Sequence, residues 1–490
     1  MSSTTGLAEP TPTAESSSTG KGLGAIQITL LSMAAAAPLA VVAGSAASIA
    51  FANGAGTPLN FIVLGLILLV FCVGYMAMLA RTRTNGGFFD LITRGLGPAW
   101  ATGGAYAAVV LYASFGVASG GFFGIALEGA LGAVGIVGPP WWVYGLAGLA
   151  VVALLTFLKV QVSAKIVGLI VLLELLVVTV VSIAIVAGGG AGGEGIGFSS
   201  FTIGAFGSGS IALGLAMNAG AFVGFEGTTM FRRDAKDPDK TVPRATYATI
   251  ISIGLLYAIG VWLVVEAWGP GEVPGIATEL GVALYSATAA EFVGVWLALL
   301  VGLLLCTSII ASNTITNTLA ARYLQTLGRH ALLPKALAGG SSERAHPYLA
   351  ITVMTIFMFG FNILWIVTGT DPLLILGLAT SFAGVCLMMI LLLVSISVIV
   401  YFRRNPTGDS AWKTLIAPLL SAILLAGLAV LVMMNLELLT GIPNPAVNLA
   451  VAVSPVVLMV VGILVGSRRA RRGGIADFDL DVDAEHDVKI

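Results

Sequence analysis

Ala216-Met-Asn-Ala-Gly-Ala-Phe-Val-Gly-Phe-Glu226-Gly-Thr228 lies inside an apolar run that extends from near Ile211 to Phe231. About twenty apolar residues are what a helix needs to cross a hydrocarbon layer roughly 30 Å thick. This run nevertheless carries a carboxylic acid, Glu226, and three glycines, Gly220, Gly224 and Gly227. A charge near mid-membrane costs roughly 2.5–3.5 kcal/mol on insertion scales. Glycine loosens the helix and frees backbone N–H and C=O groups that lipid cannot satisfy. Both features fit a segment that lines a wet or ligand-filled cavity, as a broken core helix of a transporter does. The run ends in Arg232-Arg-Asp-Ala-Lys-Asp-Pro-Asp-Lys-Thr-Val-Pro-Arg244, a highly charged aqueous loop.

The rest of the chain agrees with a membrane setting. Of 490 residues, 58% are hydrophobic and 10% charged, against about 25% charged in soluble domains; mean hydropathy is +1.01. Twelve apolar spans can be counted, with span 1 centred near Ala37, span 6 near Gly220 and span 12 near Leu458. Span 4, flanked by Trp141-Trp142 and Lys159, is the least clean, and its tryptophans fit an interfacial belt. With both termini inside, the cytosolic segments hold all 23 Lys and Arg. The outer segments carry acids instead, among them Glu128, Glu194, Glu266, Glu272 and Asp371. Orientation follows Lys/Arg bias, so both termini are expected in the cytosol, with an even number of spans.

Residues 1–21 are polar, rich in Ser and Thr, and expected to be a disordered tail with no secretory signal. Arg468-Arg-Ala-Arg-Arg472 is expected against anionic headgroups, and 468–490 continues as an acidic, solvated end. Cys72, Cys306 and Cys386 all sit in apolar runs and form no metal-ligand spacing. No metal site is expected.

Span 1 contains Met33-Ala-Ala-Ala-Ala-Pro38-Leu-Ala-Val-Val-Ala-Gly44. Pro38 removes a helical hydrogen bond and crowds the preceding turn, and Ala36 and Ala37 leave the backbone accessible. Interruptions in spans 1 and 6, five spans apart, are what an inverted five-plus-five repeat predicts.

Four stretches resemble the amino acid–polyamine–organocation superfamily, amino acid permease branch. They are Asn85-Gly-Gly-Phe-Phe-Asp-Leu-Ile-Thr-Arg94-Gly-Leu-Gly-Pro98, like the family's glycine-rich loop before span 3; Phe222-Val-Gly-Phe-Glu226 with Pro238-Asp-Lys-Thr-Val-Pro243; Asn313 to Arg322 with Gly328-Arg-His-Ala-Leu-Leu-Pro334; and Tyr401-Phe-Arg-Arg-Asn-Pro406. The resemblance implies an all-α integral membrane protein of twelve transmembrane helices with the leucine-transporter-type inverted repeat and broken helices 1 and 6. The transporter domain would be 22–467, with core helices 1–10 over about 22–404 and helices 11–12 over about 413–467.

In such a fold the unwound parts of spans 1 and 6 face each other and bind substrate. The implied binding residues are Ala36, Ala37, Pro38, Asn218, Gly220, Phe222, Gly224, Phe225 and Glu226. Asn218, Phe222 and Glu226 would share one face of a continuous helix, and Phe222 and Phe225 suit an aromatic gate or core packing. Span 1 lacks the family's Gly-Ser-Gly pattern and has Pro38 nearby, which donates no N–H, so amines and polyamines stay open beside α-amino acids. Glu174 in span 5 stands where several relatives place a lysine at a sodium position, so a coupling role is implied. A carboxyl there can carry H⁺ or hold Na⁺, with Thr307, Ser308, Ser312 and Asn313 of span 8 as candidate partners.

Enzyme readings lack parts. There is no Walker A loop, no His-Glu-x-x-His and no Gly-x-Ser-x-Gly, and His330, His346 and His486 are all placed in aqueous segments. The expectation is a secondary active transporter of amino acids or related small amines in the plasma membrane. H⁺, or alternatively Na⁺, would be the coupling ion, with no cofactor. Its partners would be the small-molecule substrate and the lipid bilayer, with no nucleic acid. A polyamine uniporter or exchanger is the alternative within transport, and a non-transporting amino-acid sensor the alternative outside it.

Overall fold

The computed structural model describes residues 22–82, 87–158, 164–232, 234–339, 347–435 and 445–472. The tail 1–21, the acidic end 473–490, and Arg83, Arg233, Arg344 and His346 lie outside the described residues. Among the described residues the chain is helical with no β-strand, and ten stretches are long and apolar enough to cross a membrane. One of the ten, Pro38–Thr82, contains successive helices parted at Gly54, and Trp141–Phe157 is a further, shorter apolar helix.

The elements run α1 (Ala25–Ala35), α2 (Pro38–Gly44), α3 (Thr57–Thr82), α4 (Phe88–Leu96), α5 (Pro98–Ala133), α6 (Trp141–Phe157), α7 (Ala164–Gly188), α8 (Ile211–Ala219) and α9 (Gly227–Met230). They continue with α10 (Pro238–Trp268), α11 (Val273–Leu280), α12 (Leu284–Phe292), α13 (Val295–Arg329), α14 (Tyr348–Thr368), α15 (Pro372–Arg404), α16 (Ala417–Met434) and α17 (Pro445–Arg471).

The first span is broken between α1 and α2, just before Pro38. Ala37 takes a left-handed conformation, φ 47° and ψ 69°, which costs an L-residue about 1–2 kcal/mol. Pro38 then opens α2 at a position whose N–H would have no helical partner, so its missing donor does no harm there. It also disfavours the α conformation in the residue before it. The break therefore precedes the proline.

The sixth span also parts. α8 gives way to a 3₁₀ turn, Gly220–Phe222, after which Val223 is extended (φ −58°, ψ 129°) and Gly224 has φ 116°. A φ of that sign favours glycine. The helical register is lost here, so Asn218, Phe222 and Glu226 do not share the face a continuous helix would give them.

Helix α5 is a hub, packing on α13, α15, α17 and α6. Close approach needs small residues: a Cβ on Gly384 of α15 would lie 2.3 Å from the Ala216 carbonyl of α8. At the far end of the first span, Asn53 and Asn60 exchange two side-chain hydrogen bonds of 3.0 Å, fixing the turn into α3.

The basic segments are tied to one another. Leu23 N donates to Asp234 O at 2.7 Å and Lys236 N to Leu23 O at 3.1 Å, forming a parallel bridge. Arg81 meets Asp409 at 2.9 Å, and Arg404 donates to Gly95 O. The stretch before span 3, expected as a loop, instead forms α4, whose Phe88, Phe89, Leu91 and Ile92 are buried. Gly97, at φ 94°, ends it before Pro98.

Candidate functional site

A cavity opens between the two broken spans. Ala36 and Ala37 of the first break line it, as do Asn218, Gly220, Ala221 and Val223 of the second. The opposite wall comes from Phe115 and Phe122 of α5, Ser312 and Asn313 of α13, and Leu376 and Thr380 of α15. Among the described residues, no acidic or basic side chain lines it.

Of the expected binding residues, Ala36, Ala37, Asn218 and Gly220 face this cavity, together with Ser312 from the expected ion group. Pro38, Phe222, Gly224, Phe225 and Glu226 do not. Phe222 is buried edge-on to Tyr257, with ring centroids 6.4 Å apart, and lies against Gly65 and Gly254. Phe225 joins Phe71 and Phe88 at 6.3 and 5.9 Å, and Tyr75 completes the cluster. This aromatic plug links α3, α4 and the second break. Glu226 turns back on its own loop, where its carboxylate accepts from Gly224 N at 2.9 Å. It holds the break open with a hydrogen bond that the extended backbone cannot supply.

The first break is held from behind by two side chains. Glu174 of α7 is 1% exposed. Its Oε2 accepts from Leu39 N at 3.2 Å, and the Ser308 hydroxyl of α13 also hydrogen-bonds to its carboxyl. Leu39 lies in the first turn of α2, where N–H groups have no intrahelical partner and a carboxylate is favoured. From α10, Tyr257 Oη donates to Ala36 O at 3.0 Å. The N–H after the break and the C=O before it are thus both satisfied, as a membrane interior demands.

Of the four candidate partners for Glu174, only Ser308 reaches it. Thr307 is exposed and bonds Leu304 O at 2.8 Å, and Ser312 and Asn313 face the cavity. Among the described residues, no group of three or more His, Cys, Asp or Glu could hold a metal ion.

Sequence reasoning missed Tyr257, Phe115 and Phe122. Tyr257 left a signal: it is a phenol in the middle of span 7, far from the interfaces where tyrosine usually sits. The two phenylalanines left none, since α5 is apolar on every side.

Chemically, the site can enclose a small solute against exposed backbone while a buried carboxyl grips the same backbone from the other side. Two solved structures are similar in fold, both of the manganese transporter of Eremococcus coleocola, each carrying a different single substitution. Each matches with a TM-score of 0.51 and 14% identity over 90% of this chain and 95% of that one. A sequence model of the amino acid permease family matches residues 27–472, nearly the whole chain. Two helices broken around one cavity and a family match of that extent lead to one conclusion: this chain belongs to the amino acid permease family of multi-pass membrane transporters.

Proposed function

We propose that the protein is a secondary active transporter that moves amino acids across the plasma membrane by alternating access, coupled to H⁺. In this reading twelve spans cross the bilayer, both termini are cytosolic, and spans 1–5 and 6–10 form an inverted repeat. The basic face is then the cytosolic one. The aromatic plug and the Leu23–Ala235 bridge are its closed gate.

The observation that carries the coupling is the contact between Glu174 and Leu39 N. Ala36 and Ala37 form one wall of the cavity, and the carboxyl holds the backbone two residues further on. Protonation removes the negative charge that favours this helix end and weakens Oε2 as an acceptor. The first turn of α2 is then free to move, so proton occupancy and cavity shape change together. Glu226 acts as a positioning residue of the second break, shaping the loop next to the gate. A polyamine would bring several positive charges to a wall that, among the described residues, holds no carboxylate, so the wall favours a solute with internally balanced charge.

The test is counterflow of labelled amino acids in proteoliposomes, combined with measurement of substrate-induced proton entry. Transport predicts transient label accumulation and alkalinisation of a weakly buffered exterior that depends on the amino acid. Binding without flux would identify a sensor and refute the proposal, and flux without proton movement would refute its coupling.

A further inference from the structure

Five polar side chains of the cavity wall spend a donor within their own helices. The hydroxyls of Ser45, Ser48, Ser119 and Thr380 donate to their own helices, at 2.6, 3.0, 2.7 and 2.7 Å. The Asn218 amide donates in the same way to Gly214 O at 2.7 Å. These side chains keep their oxygen lone pairs for anything that enters.

Asn313 stands out among them. It is 7% exposed and lines the cavity from α13. Its Nδ2 donates to Ile309 O at 2.9 Å, which fixes the amide orientation and presents Oδ1 as an acceptor. That Oδ1 is buried and has no donor. A buried acceptor without a partner costs free energy that an incoming donor recovers.

Resting on the amino acid transporter reading, we propose that Asn313 Oδ1 is a binding atom for the substrate ammonium group, and that the site selects amino acids with uncharged side chains. The selectivity follows from the wall. A Lys, Arg, Asp or Glu substrate would bring a net charge into a cavity that no ionisable side chain lines among the described residues. A buried charge without a counter-charge is strongly disfavoured. A neutral amino acid brings a zwitterion whose ammonium meets Asn313 and the other wall oxygens.

The experiment uses the full chain in proteoliposomes, with L-alanine, L-leucine, L-lysine and L-glutamate as counterflow probes within the twenty amino acids. Competition by propionate and 4-methylpentanoate supplies the desamino counterparts of the first two. The wild type is expected to exchange alanine or leucine and to reject lysine and glutamate. Asn313→Leu is expected to weaken the neutral amino acid about tenfold or more while leaving competition by its desamino analogue unchanged. Asn313→Asp is expected to admit the cationic methyl ester of the same amino acid.

Equal weakening of amino acid and analogue in Asn313→Leu would make Asn313 a packing residue and overturn the proposal. Lysine or glutamate exchange as strong as that of alanine would overturn the selectivity while leaving amino acid transport standing. No exchange with any of the twenty would remove the transporter reading itself and this proposal with it.

Discussion

Replacing Tyr257 by Phe removes one oxygen and nothing else from the centre of the protein. The ring is fully buried, 5.4 Å from Phe61 and 6.4 Å from Phe222, and phenylalanine keeps those contacts. The lost Oη is the donor to Ala36 O, 3.0 Å away at the end of α1. That carbonyl lies in a break where no following turn is available to supply an N–H. Leaving a buried acceptor unmatched costs about 1–3 kcal/mol. Because Ala36 lines the cavity, part of that cost should appear in substrate affinity, up to about tenfold for each 1.4 kcal/mol. Thermal unfolding of the purified protein and ligand-dependent stabilisation measure the two effects side by side. Tyr285→Phe is the control, since its buried hydroxyl has no hydrogen-bond partner and its removal should be neutral or stabilising. Equal unfolding midpoints and equal affinity in Tyr257→Phe and wild type would refute the claim that the break is held through Ala36.

Gly384→Ala should destabilise by about 1–3 kcal/mol, because its Cβ would fall 2.3 Å from the Ala216 carbonyl; wild-type thermal stability would contradict the packing of α15 on α8. Glu226→Gln should be nearly as stable as wild type, since the amide oxygen can still accept from Gly224 N, whereas Glu226→Ala should lower the unfolding midpoint. On the basic face, hydrogen bonds from Arg81 and Thr407 hold the Asp409 carboxyl below the usual aspartate range. That pair therefore contributes stability above the ordinary carboxyl titration, and the contribution is lost as pH falls through the lowered value of the folded state. The pair is partly exposed, so the effect is small and screened by salt; Asp409→Asn should flatten the acid side of the stability–pH curve, and an unchanged curve would contradict the assignment.

How far the sequence spoke depended on the kind of residue. Gly220, Gly224 and Gly227 in one apolar run announced the second break, because they loosen the helix beside a carboxyl that lipid disfavours. Pro38 announced the first break but marked its downstream edge, since proline is well tolerated in a first helical turn and the strain falls on Ala37. The direction of Glu226 depends on whether the helix continues through the glycines. Its spacing from Asn218 and Phe222 implied a shared face, and the 3₁₀ turn and extended Val223 destroyed that register. The helix α4 was hidden in a resemblance to a loop, although its buried Phe88, Phe89, Leu91 and Ile92 repeat at helical spacing. The cavity-facing side of α5 was illegible for a different reason. A helix that is apolar all round has no periodic stripe to orient it, so Phe115 and Phe122 could be placed only by the neighbours that surround them.

In the proposed transport cycle, one carboxyl couples proton occupancy to the broken helix. Glu174→Gln keeps the size of the side chain and an oxygen able to accept from Leu39 N, but cannot carry the proton. Amino acid accumulation driven by an inward pH gradient in proteoliposomes, compared with counterflow in the same vesicles, measures this directly. Glu174→Gln is expected to lose gradient-driven accumulation and to retain counterflow; accumulation equal to that of the wild type would rule out Glu174 as the coupling carboxyl.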